Sequence, residues 1–438
     1  MAMPESLLHG SPEVGGALLE LMRECADLRD FGARVLQAAA NMLMSAEADA
    51  ACGAALGERS EGRTNRRNGY RGRTLKTSMG DIELRIPKLR SGTYYPGSVL
   101  RRWTRVEASL AALVVEAYAS GVSTRDMALL AESLGVSSLS SSEVSRLASS
   151  LDAQVAELRG RDLSSGRFCY LWLDATYVRC RVGGRSVSQA VVTAIALGAD
   201  GHKHLVGLDC CDTESYEDWR AFLASVAARG LSGVVLVVSD AHAGLARAVA
   251  EVFQGAAWQR CTVHLQRNVA AAVRRRANER LVRELVKATF ACRDALSARA
   301  MYPRACDAIR AAGETGAADL LESAREDALQ YLSLPPEHWA RVRTNNVQER
   351  ANREIKRRCR SVQAFPSRES LVRLVGAVML GEDDAWQQGR LFSEPSVARA
   401  WERPAAPAAD GELARRIAAA EERAGAAVAA LVAQYSAV

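Results

Sequence analysis

The stretch YLWLDATYV, residues 170–178, has the composition of a buried β-strand, yet a carboxylate lies in its middle. Large apolar and aromatic residues, the types that fill the interior of a sheet, flank Asp174 on both sides. A charge in such a strand is costly unless something pairs with it. Asp174 therefore marks a candidate site, and the alternative is a structural pair with a buried Arg or Lys.

The segments around this strand predict an α/β layered fold. Three strands joined by short turns are expected over YLWLDATYVRCRV, SVSQAVVTAIALGA and HKHLVGLDCC, followed by the helix ESYEDWRAFLASVAARG. The strand VVLVVSD, the helix AGLARAVAEVF and the strand AAWQRCTVH come next. Three meandering strands followed by helix, strand, helix and strand are also the element order of a ribonuclease H-like domain.

A second acid, Asp240, ends the fourth predicted strand. It could simply cap the helix that follows, because Asp is a favoured N-cap residue. In such a sheet, however, the first and fourth strands are expected to be neighbours, which would bring Asp240 beside Asp174. Two close carboxylates repel unless a cation holds both, and hard oxygen ligands suit Mg²⁺ or Mn²⁺. We therefore predict a metal site.

Glu349, in RTNNVQERANREIKRR, is the candidate third acid. It lies on a helix predicted to begin near Asn346, although a Glu among arginines also suits a salt-bridged face. Residues 269–340, before this helix, predict helices and no strands, as in an all-helical insertion. The competing acids are Glu354, Asp209 and Asp212.

Two basic stretches predict contacts with phosphate. Residues 59–76 carry seven basic side chains against one acid, and residues 338–360 carry eight against two. One such run is commonly a solvated face, but two with little acidic counterweight favour nucleic acid. The candidate DNA-binding residues are Arg66, Arg67, Arg71, Arg73, Arg343, Asn346, Asn352, Lys356, Arg357 and Arg358.

The N-terminal third reads as mainly helical, with one strand over GDIELRIPKLR, residues 80–90. A helix over residues 125–134 is expected to stop at Gly135. Ser140 and Glu143 form the sequence pattern of a capping box that opens a second helix through Leu158. The pair matches a helix-turn-helix module, a pattern that helix pairs without DNA contacts share.

Composition bounds the class of protein. A hydrophobic content of 48% and a net charge of +6 are ordinary for a globular chain of 438 residues. The N-terminus lacks the pattern of a signal peptide, and no apolar run approaches the roughly 20 residues of a membrane span. The ten cysteines form no regular framework, so reduced thiols and an intracellular location are expected.

Several motifs in one order resemble bacterial insertion-sequence transposases of the mutator type, from about Arg59 to Trp386. The motifs are NGYRGRTLKTSMGDIELRIPKLRSGTYYP, EAYASGVSTRDMALL, YLWLDATYVRCR, VVSDAHAGL, WQRCTVHLQRNV, RTNNVQERANREIKRR and SVQAFPSRESLVRL. The resemblance implies an Asp-Asp-Glu triad of Asp174, Asp240 and Glu349. It also gives weight to Cys261 and His264, for which packing or active-site hydrogen bonding is favoured over half of a zinc site.

The resemblance implies an α/β, ribonuclease H-like catalytic core interrupted by an all-helical insertion and preceded by a mainly helical DNA-binding region. The expected regions are 1–160 for DNA binding, 166–268 and 341–390 for the core, 269–340 for the insertion and 391–438 for a helical tail. The tail helix would be a dimerisation element or, as we favour, a surface helix. Gln348 and Ala351 depart from the family pattern and are expected to loosen the helix that carries Glu349.

The function implied is that of a transposase that binds terminal inverted repeats and catalyses metal-dependent cleavage and strand transfer. It would use two Mg²⁺ or Mn²⁺ ions, bind double-stranded DNA as a homo-oligomer and reside in the bacterial cytoplasm with the nucleoid, without a membrane partner. Two alternatives stay open: an inactive DNA-binding protein derived from a transposase, and a metal-dependent nuclease that does not join ends.

Overall fold

The computed structural model divides into two compact units, Met1–Ser150 and Leu151–Val438. The boundary predicted from the sequence, residue 160, lies one helix further along. The predicted helix stop at Gly135 lies outside the described residues. The structure describes residues 12–96, 106–119, 122, 124–133, 136, 139–360, 362, 364–402 and 411–435.

The first unit consists of helices and one β-hairpin. Its elements are α1 (Pro12–Glu24), α2 (Leu28–Cys52), β1 (Arg67–Thr77), β2 (Gly80–Leu89), α3 (Ala108–Ala119), α4 (Thr124–Ser133) and α5 (Ser141–Ala148). The predicted strand over residues 80–90 is confirmed as β2, whose alternate residues Ile82, Leu84 and Ile86 pack in one core with Met44 of α2. Strand β1 was missed, because its basic, Gly- and Asn-rich sequence lacks the apolar alternation that marks β2.

The predicted capping box is confirmed at the start of α5, where Ser140 and Glu143 exchange hydrogen bonds. The predicted continuous helix through Leu158 is wrong, since α5 ends at Ala148 and a new helix begins at Leu151. The hydroxyls of Ser149 and Ser150 donate to the carbonyls of Arg146 and Leu147. Such local bonds compete with regular helix hydrogen bonding.

The second unit is a mixed sheet with helices on both faces. Its strands are β3 (Phe168–Val182), β4 (Arg185–Gly198), β5 (Lys203–Cys211), β6 (Leu236–Ser239) and β7 (Ala257–Arg260). Its α-helices are α6 (Leu151–Gly160), α7 (Tyr216–Ala228), α8 (Ala243–Val252), α9 (Thr262–Ala271), α10 (Glu279–Ala291), α11 (Ala295–Ala311), α12 (Thr315–Ser323), α13 (Arg325–Ala328), α14 (Trp339–Val342), α15 (Asn346–Cys359), α16 (Arg368–Trp386), α17 (Glu394–Ala398) and α18 (Gly411–Tyr435). Short 3₁₀ turns occupy Arg276–Asn278, Gln330–Ser333, Pro336–His338 and Arg399–Trp401.

The strands are arranged in the order β5-β4-β3-β6-β7. Strands β3, β4 and β5 form an antiparallel meander, whereas β6 and β7 run parallel to β3. The first and fourth strands are therefore neighbours, as predicted. The last predicted strand was too long, because β7 ends at Arg260 and α9 begins at Thr262.

The two faces of β3 enter two different cores. Leu171 and Leu173 pack with α7 and α8, whereas Tyr170 and Trp172 pack with the helices between residues 269 and 340. Since side chains alternate along a strand, Asp174 is on the Trp172 face. Residues 269–340 are all described and contain helices and turns but no strand, as predicted.

The C-terminal helix α18 packs against α10 and α11 and buries Ala420 and Ala424. One face of α18 therefore packs on the second unit, and most of its other side chains are exposed, as expected for the surface helix that the sequence favoured. Within the described ranges, none of the helices has both the length and the apolar character required to cross a membrane.

Candidate active site

The two predicted acids of the sheet lie side by side. In the parallel ladder Trp172 is opposite Val238, so two residues further along each chain Asp174 is level with Asp240. Neighbouring strands are about 4.8 Å apart. Strand β6 ends at Ser239, which puts Asp240 at the edge where the chain leaves the sheet. The fold thus brings together two carboxylates that are 66 positions apart in the chain.

Asp174 is held in a partly buried setting by two donors. The Ala175 N–H donates to Oδ1 at 2.9 Å, and the Asn352 side chain donates to Oδ2 at 2.9 Å. Burial raises the pKa of Asp174 to about 7, the negative charges of Asp240 and Glu214 add to the rise, and Lys356 acts against it. The site therefore holds negative charge that a bound cation would stabilise.

Asp240 does not cap the helix that follows it. The N-cap of α8 is His242, whose Nδ1 accepts from the Leu245 N–H at 3.3 Å. The Asp240 main-chain oxygen accepts from the His242 N–H at 3.0 Å and from the Ser239 hydroxyl at 3.0 Å. No hydrogen bond or ion pair from the described residues engages its carboxylate, which remains available to a ligand.

Glu349 lies in the first turn of α15, a helix that begins at Asn346 as predicted. Glu349, Asn352 and Lys356 follow one another at helical spacing along one strip, and Asn352 is the residue that contacts Asp174. The Glu349 Oε1 is 3.4 Å from Nη1 of Arg267 and 3.9 Å from Nε2 of His264. The third acid is therefore one helical turn from Asn352, the residue that bonds to Asp174, and Arg267 and His264 of α9 lie beside it.

Three amide side chains fasten α15 to β3. We call Asn345, Gln348 and Asn352 the amide row. Asn345 donates to the Leu173 carbonyl at 3.0 Å, Gln348 to the Trp172 carbonyl at 2.6 Å, and Asn352 to the carboxylate of Asp174. Three consecutive residues of the strand thus receive three side chains of one helix face, so the position of the helix along the strand is fixed.

Gln348 corrects the expectation that this residue loosens the helix. Its side chain is completely buried. Besides its bond to Trp172, Nε2 donates to the Thr193 carbonyl at 3.0 Å, and Oε1 accepts from the Thr193 hydroxyl at 2.9 Å. Ala351 is also completely buried, so its small side chain allows close packing. Both departures from the family pattern belong to a tight interface.

Cys261 and His264 lie at the start of α9, one turn apart. The buried Cys261 Sγ accepts from the Asn345 N–H at 3.2 Å, and burial raises the pKa of its thiol. The Thr262 N–H donates to the Arg343 carbonyl at 2.9 Å. Cys261 therefore connects α9 with the segment that leads into α15, whereas His264 has its Nε2 3.9 Å from Oε1 of Glu349.

The competing acids are engaged elsewhere. Asp209 pairs with Arg159 at 2.6 Å, Asp212 pairs with Arg368, and Glu354 pairs with Arg357 at 2.7 Å. Sequence reasoning missed Glu214, which follows β5 and whose charge reaches Asp174. The only available signal was an acid shortly after a strand, and Glu214 had been assigned to the predicted helix that begins ESYEDW.

The donor set fits a divalent cation in part. Asp174 and Asp240 supply the hard carboxylate oxygens that Mg²⁺ and Mn²⁺ prefer, and Mg²⁺ commonly binds one or two protein carboxylates and keeps several waters. In the parts of the chain that the structure describes, no three His, Cys, Asp or Glu side chains converge as ligands of one ion. Glu349 would have to leave Arg267 and His264 to join the pair.

The candidate DNA-binding residues separate into engaged and exposed groups. Arg67 contacts Asp49 at 2.5 Å, and Arg343 donates to the Phe290 carbonyl. Asn352, only 7% exposed, contacts Asp174. These three hold the fold or the site, so DNA contact is no longer inferred for them. Arg73 and Arg358 are partly buried. The exposed residues are Arg66, Arg71, Asn346, Lys356 and Arg357.

The fold and the site define an α/β protein whose paired acids suit a divalent cation. The chain belongs to a family of transposases: the model "Transposase, Mutator family" matches residues 16–389. This membership associates the chain with transposable elements and DNA transposition.

Its relatives include the transposase of insertion sequence element IS1081 from Mycobacterium tuberculosis, which is 42% identical over 350 residues that cover 80% of this chain and 84% of that protein. Another is the transposase of IS256 in transposon Tn4001 from Staphylococcus aureus, 36% identical over 82% of this chain and 91% of that protein. Among solved structures, a Drosophila P element transposase strand transfer complex matches with a TM-score of 0.27 and 13% identity, over 66% of this chain and 82% of that chain. That score is too low to support a shared fold.

Proposed function

We propose that this protein binds the terminal inverted repeats of an insertion sequence and catalyses cleavage of the ends and their transfer to target DNA. The observation that carries the proposal is the pair of Asp174 on β3 and Asp240 directly after the neighbouring parallel strand β6. The Asp240 carboxylate has no hydrogen bond or ion pair from the described residues, and burial destabilises the charged form of Asp174. Membership of a transposase family supports a DNA phosphodiester as the substrate of this pair.

The proposed core is a ribonuclease H-like domain. Support comes from the strand order, with an antiparallel meander followed by two parallel strands, and from an all-helical stretch between β7 and the helix of Glu349. In this proposal residues 269–340 are an insertion, and residues 341–390 return to the core through α15 and α16. The predicted regions 1–160 and 391–438 keep their roles as DNA-binding region and helical tail.

The metal proposal is Mg²⁺ or Mn²⁺, with Asp174 and Asp240 as the first ligands and Glu349 as the third. Two such ions, if held by these acids, would supply activation of an attacking hydroxyl and stabilisation of the leaving oxygen. The protein's own part is to orient the acids and to fix the position of the helix that carries Glu349. The Asn352 and Ala175 donors orient the Asp174 carboxylate, and the amide row fixes the helix that presents Glu349.

The exposed residues of α15 supply the proposed phosphate contacts next to the acids. Lys356 is close enough to Asp174 to influence its pKa, and it is exposed on the same strip as Glu349. A phosphate held there would lie near the carboxylate pair, because the strip is one helix face. Binding of two element ends at once favours a homo-oligomer on DNA.

The test is an assay of cleavage and strand transfer on DNA that carries the element's own ends, with Mg²⁺. Wild type is compared with Asp174→Asn and Glu349→Gln, and Asp212→Asn is the matched control because Asp212 lies outside the site and pairs with Arg368. We expect joined products from wild type and the control, and a loss of at least about a thousandfold, or about 4 kcal/mol of barrier, in both site variants.

The two alternatives give different results in the same assay. A protein that binds DNA but forms no product in wild type would be a DNA-binding derivative of a transposase. Cleaved but unjoined ends would indicate a nuclease. Full activity of Asp174→Asn would show that the carboxylate pair is not the catalytic centre.

A further inference from the structure

The positive charge of the first unit is concentrated on the hairpin and not on the helix pair. Residues 59–90 carry ten Lys and Arg against three Asp and Glu, whereas residues 124–150, which contain α4 and α5, carry two against three. Binding to the phosphate backbone of DNA requires clustered cations. The helix-turn-helix pattern and the charge therefore point to different parts of this unit.

The cations of the hairpin divide into internal and exposed ones. Arg63 donates to the carbonyls of Ala55 and Glu58, and Arg67 is paired with Asp49. The exposed ones gather at the end of the hairpin away from its turn, from the strand pair Gly72↔Arg85 to just beyond the pair Arg67↔Leu89. We call this group the basic hairpin end; it consists of Arg66, Arg71, Arg85, Lys88 and Arg90.

The backbone at this end is open to a close neighbour. Gly69 has φ +77 at a bulge in β1, and a Cβ at Gly69 or at Gly72 would meet nothing within 4 Å. Gly72 therefore has no packing reason for its missing side chain, and glycine in a strand often marks the close approach of another backbone. Tyr70, 39% exposed, lies beneath the guanidinium of Arg85 at 4.8 Å from the ring centre.

The start of α5 offers less to a phosphate. Ser140 and Glu143 bond to each other in the capping box, and Lys76 of β1 contacts Glu143 at 3.1 Å. The negative charge of Glu143 stands where the first turn of a recognition helix would meet DNA. Arg146 is the one basic residue of α5, and it shares with Arg71 the lining of a cavity of about 1050 Å³.

We propose that the basic hairpin end binds the phosphate backbone of double-stranded DNA. In this proposal α5 contributes sequence recognition and little of the electrostatic affinity. The inference rests on the proposed function, since it assigns the DNA contact of that function to a particular surface. It predicts that the hairpin contributes equally to every DNA sequence, because phosphates carry no sequence information.

The test measures binding of the full-length protein to two fluorescent duplexes, one with an element end and one with a scrambled sequence, over a range of salt concentrations. The variant is Arg66→Ala with Arg71→Ala, and the control is Arg415→Ala with Arg416→Ala on α18, which removes the same charge from an exposed helix of the second unit. We expect the hairpin variant to lose about tenfold in affinity on both duplexes and about 1.8 from the slope of log affinity against log salt.

The other outcomes separate the hypotheses. Ser142→Ala on α5 should leave the salt slope unchanged and reduce only the preference for the element end. A hairpin variant that binds like wild type, or a control that loses as much, would overturn the inference while the proposed function stands. If wild type binds neither duplex, the proposed function fails and this inference fails with it. Thermal unfolding should be unchanged in the hairpin variant, because both arginines are exposed.

Discussion

The two basic stretches, residues 59–76 and 338–360, are similar in sequence and different in structure. Both carry many cations, few acids and several Asn residues. In the first, the Asn and Gly residues lie on an exposed strand, and the cations at its open end face solvent. In the second, Asn345 and Asn352 are buried against β3. Lys356 lies beside Asn352 on the strip of the acids, whereas Arg353 and Arg357 are exposed on the outer side of α15.

Charge density in the sequence indicates a phosphate partner. Burial in the structure then separates the side chains that can contact phosphate from those that position other parts of the protein. In the hairpin the fold engages Arg63, Arg67 and Lys76, whereas Arg66 and Arg71 stay exposed. One face of α15 packs against the main chain of β3, so the polar side chains of that face form hydrogen bonds with the strand. Three experiments can break or sharpen this distinction.

The largest expected effect concerns Gln348. Replacement by Ala removes a buried side chain and leaves the Trp172 carbonyl and both polar groups of Thr193 without their partner. Unsatisfied buried groups cost about 1–3 kcal/mol each. We expect Gln348→Ala to lower the free energy of unfolding by about 3 kcal/mol, measured by denaturant titration.

Gln388→Ala is the control for that experiment, since Gln388 follows α16 and is exposed. It should change the free energy of unfolding by no more than about 0.5 kcal/mol. Gln348→Met keeps most of the volume but not the hydrogen bonds, and it should recover only part of the loss. If Gln348→Ala is as stable as wild type, the amide row is not what holds α15 against β3.

Per pH unit, a smaller effect is expected from the titration of Asp174. Its pKa is raised from 3.8 to about 7, chiefly by burial, so the folded state binds a proton more tightly than the unfolded state. The free energy of unfolding then falls as pH rises between these two values, by at most about 1.4 kcal/mol per pH unit, and is level above them.

The measurement compares wild type with Asp174→Asn in the presence of a chelator, because all other titrating groups are common to both. The stability of the variant relative to wild type should rise with pH across this window, and an excess of Mg²⁺ should oppose the loss in wild type near neutral pH. Parallel stability profiles would mean that Asp174 titrates normally and that the pair does not hold excess negative charge.

Much of this arrangement was accessible from the sequence, because it rests on local patterns. The alternation of β2, the capping box at Ser140, the start of α15 at Asn346 and the neighbouring first and fourth strands all follow from periodicity or element order. These features need only the residues of one segment, or the standard connection between two.

What was missed depends on partners far away in the chain. Gln348 was expected to loosen its helix, since nothing in the local sequence shows that its side chain donates to the carbonyls of Trp172 and Thr193. Asn352 and Arg343 looked like phosphate ligands until their contacts with Asp174 and Phe290 were visible. Glu214 is near Asp174 only because β5 and α7 return to the same edge. Long-range pairing, which no periodicity encodes, decided each case.

The smallest expected effect separates two arginines on the outer side of α15. Arg353 and Arg357 are both exposed, but Arg357 donates two hydrogen bonds to Glu354, at 2.9 and 2.7 Å. A phosphate would have to compete with that carboxylate for Arg357, so Arg353→Ala should weaken DNA binding by about two- to fivefold, or about 0.5–1 kcal/mol, and Arg357→Ala by less. Both variants should unfold like wild type, because neither side chain enters the interface with β3. If Arg357→Ala instead weakens binding more than Arg353→Ala, then Glu354 orients the guanidinium for DNA rather than occupying it. The outer face of α15 would then be pre-organised in the same way as its buried face.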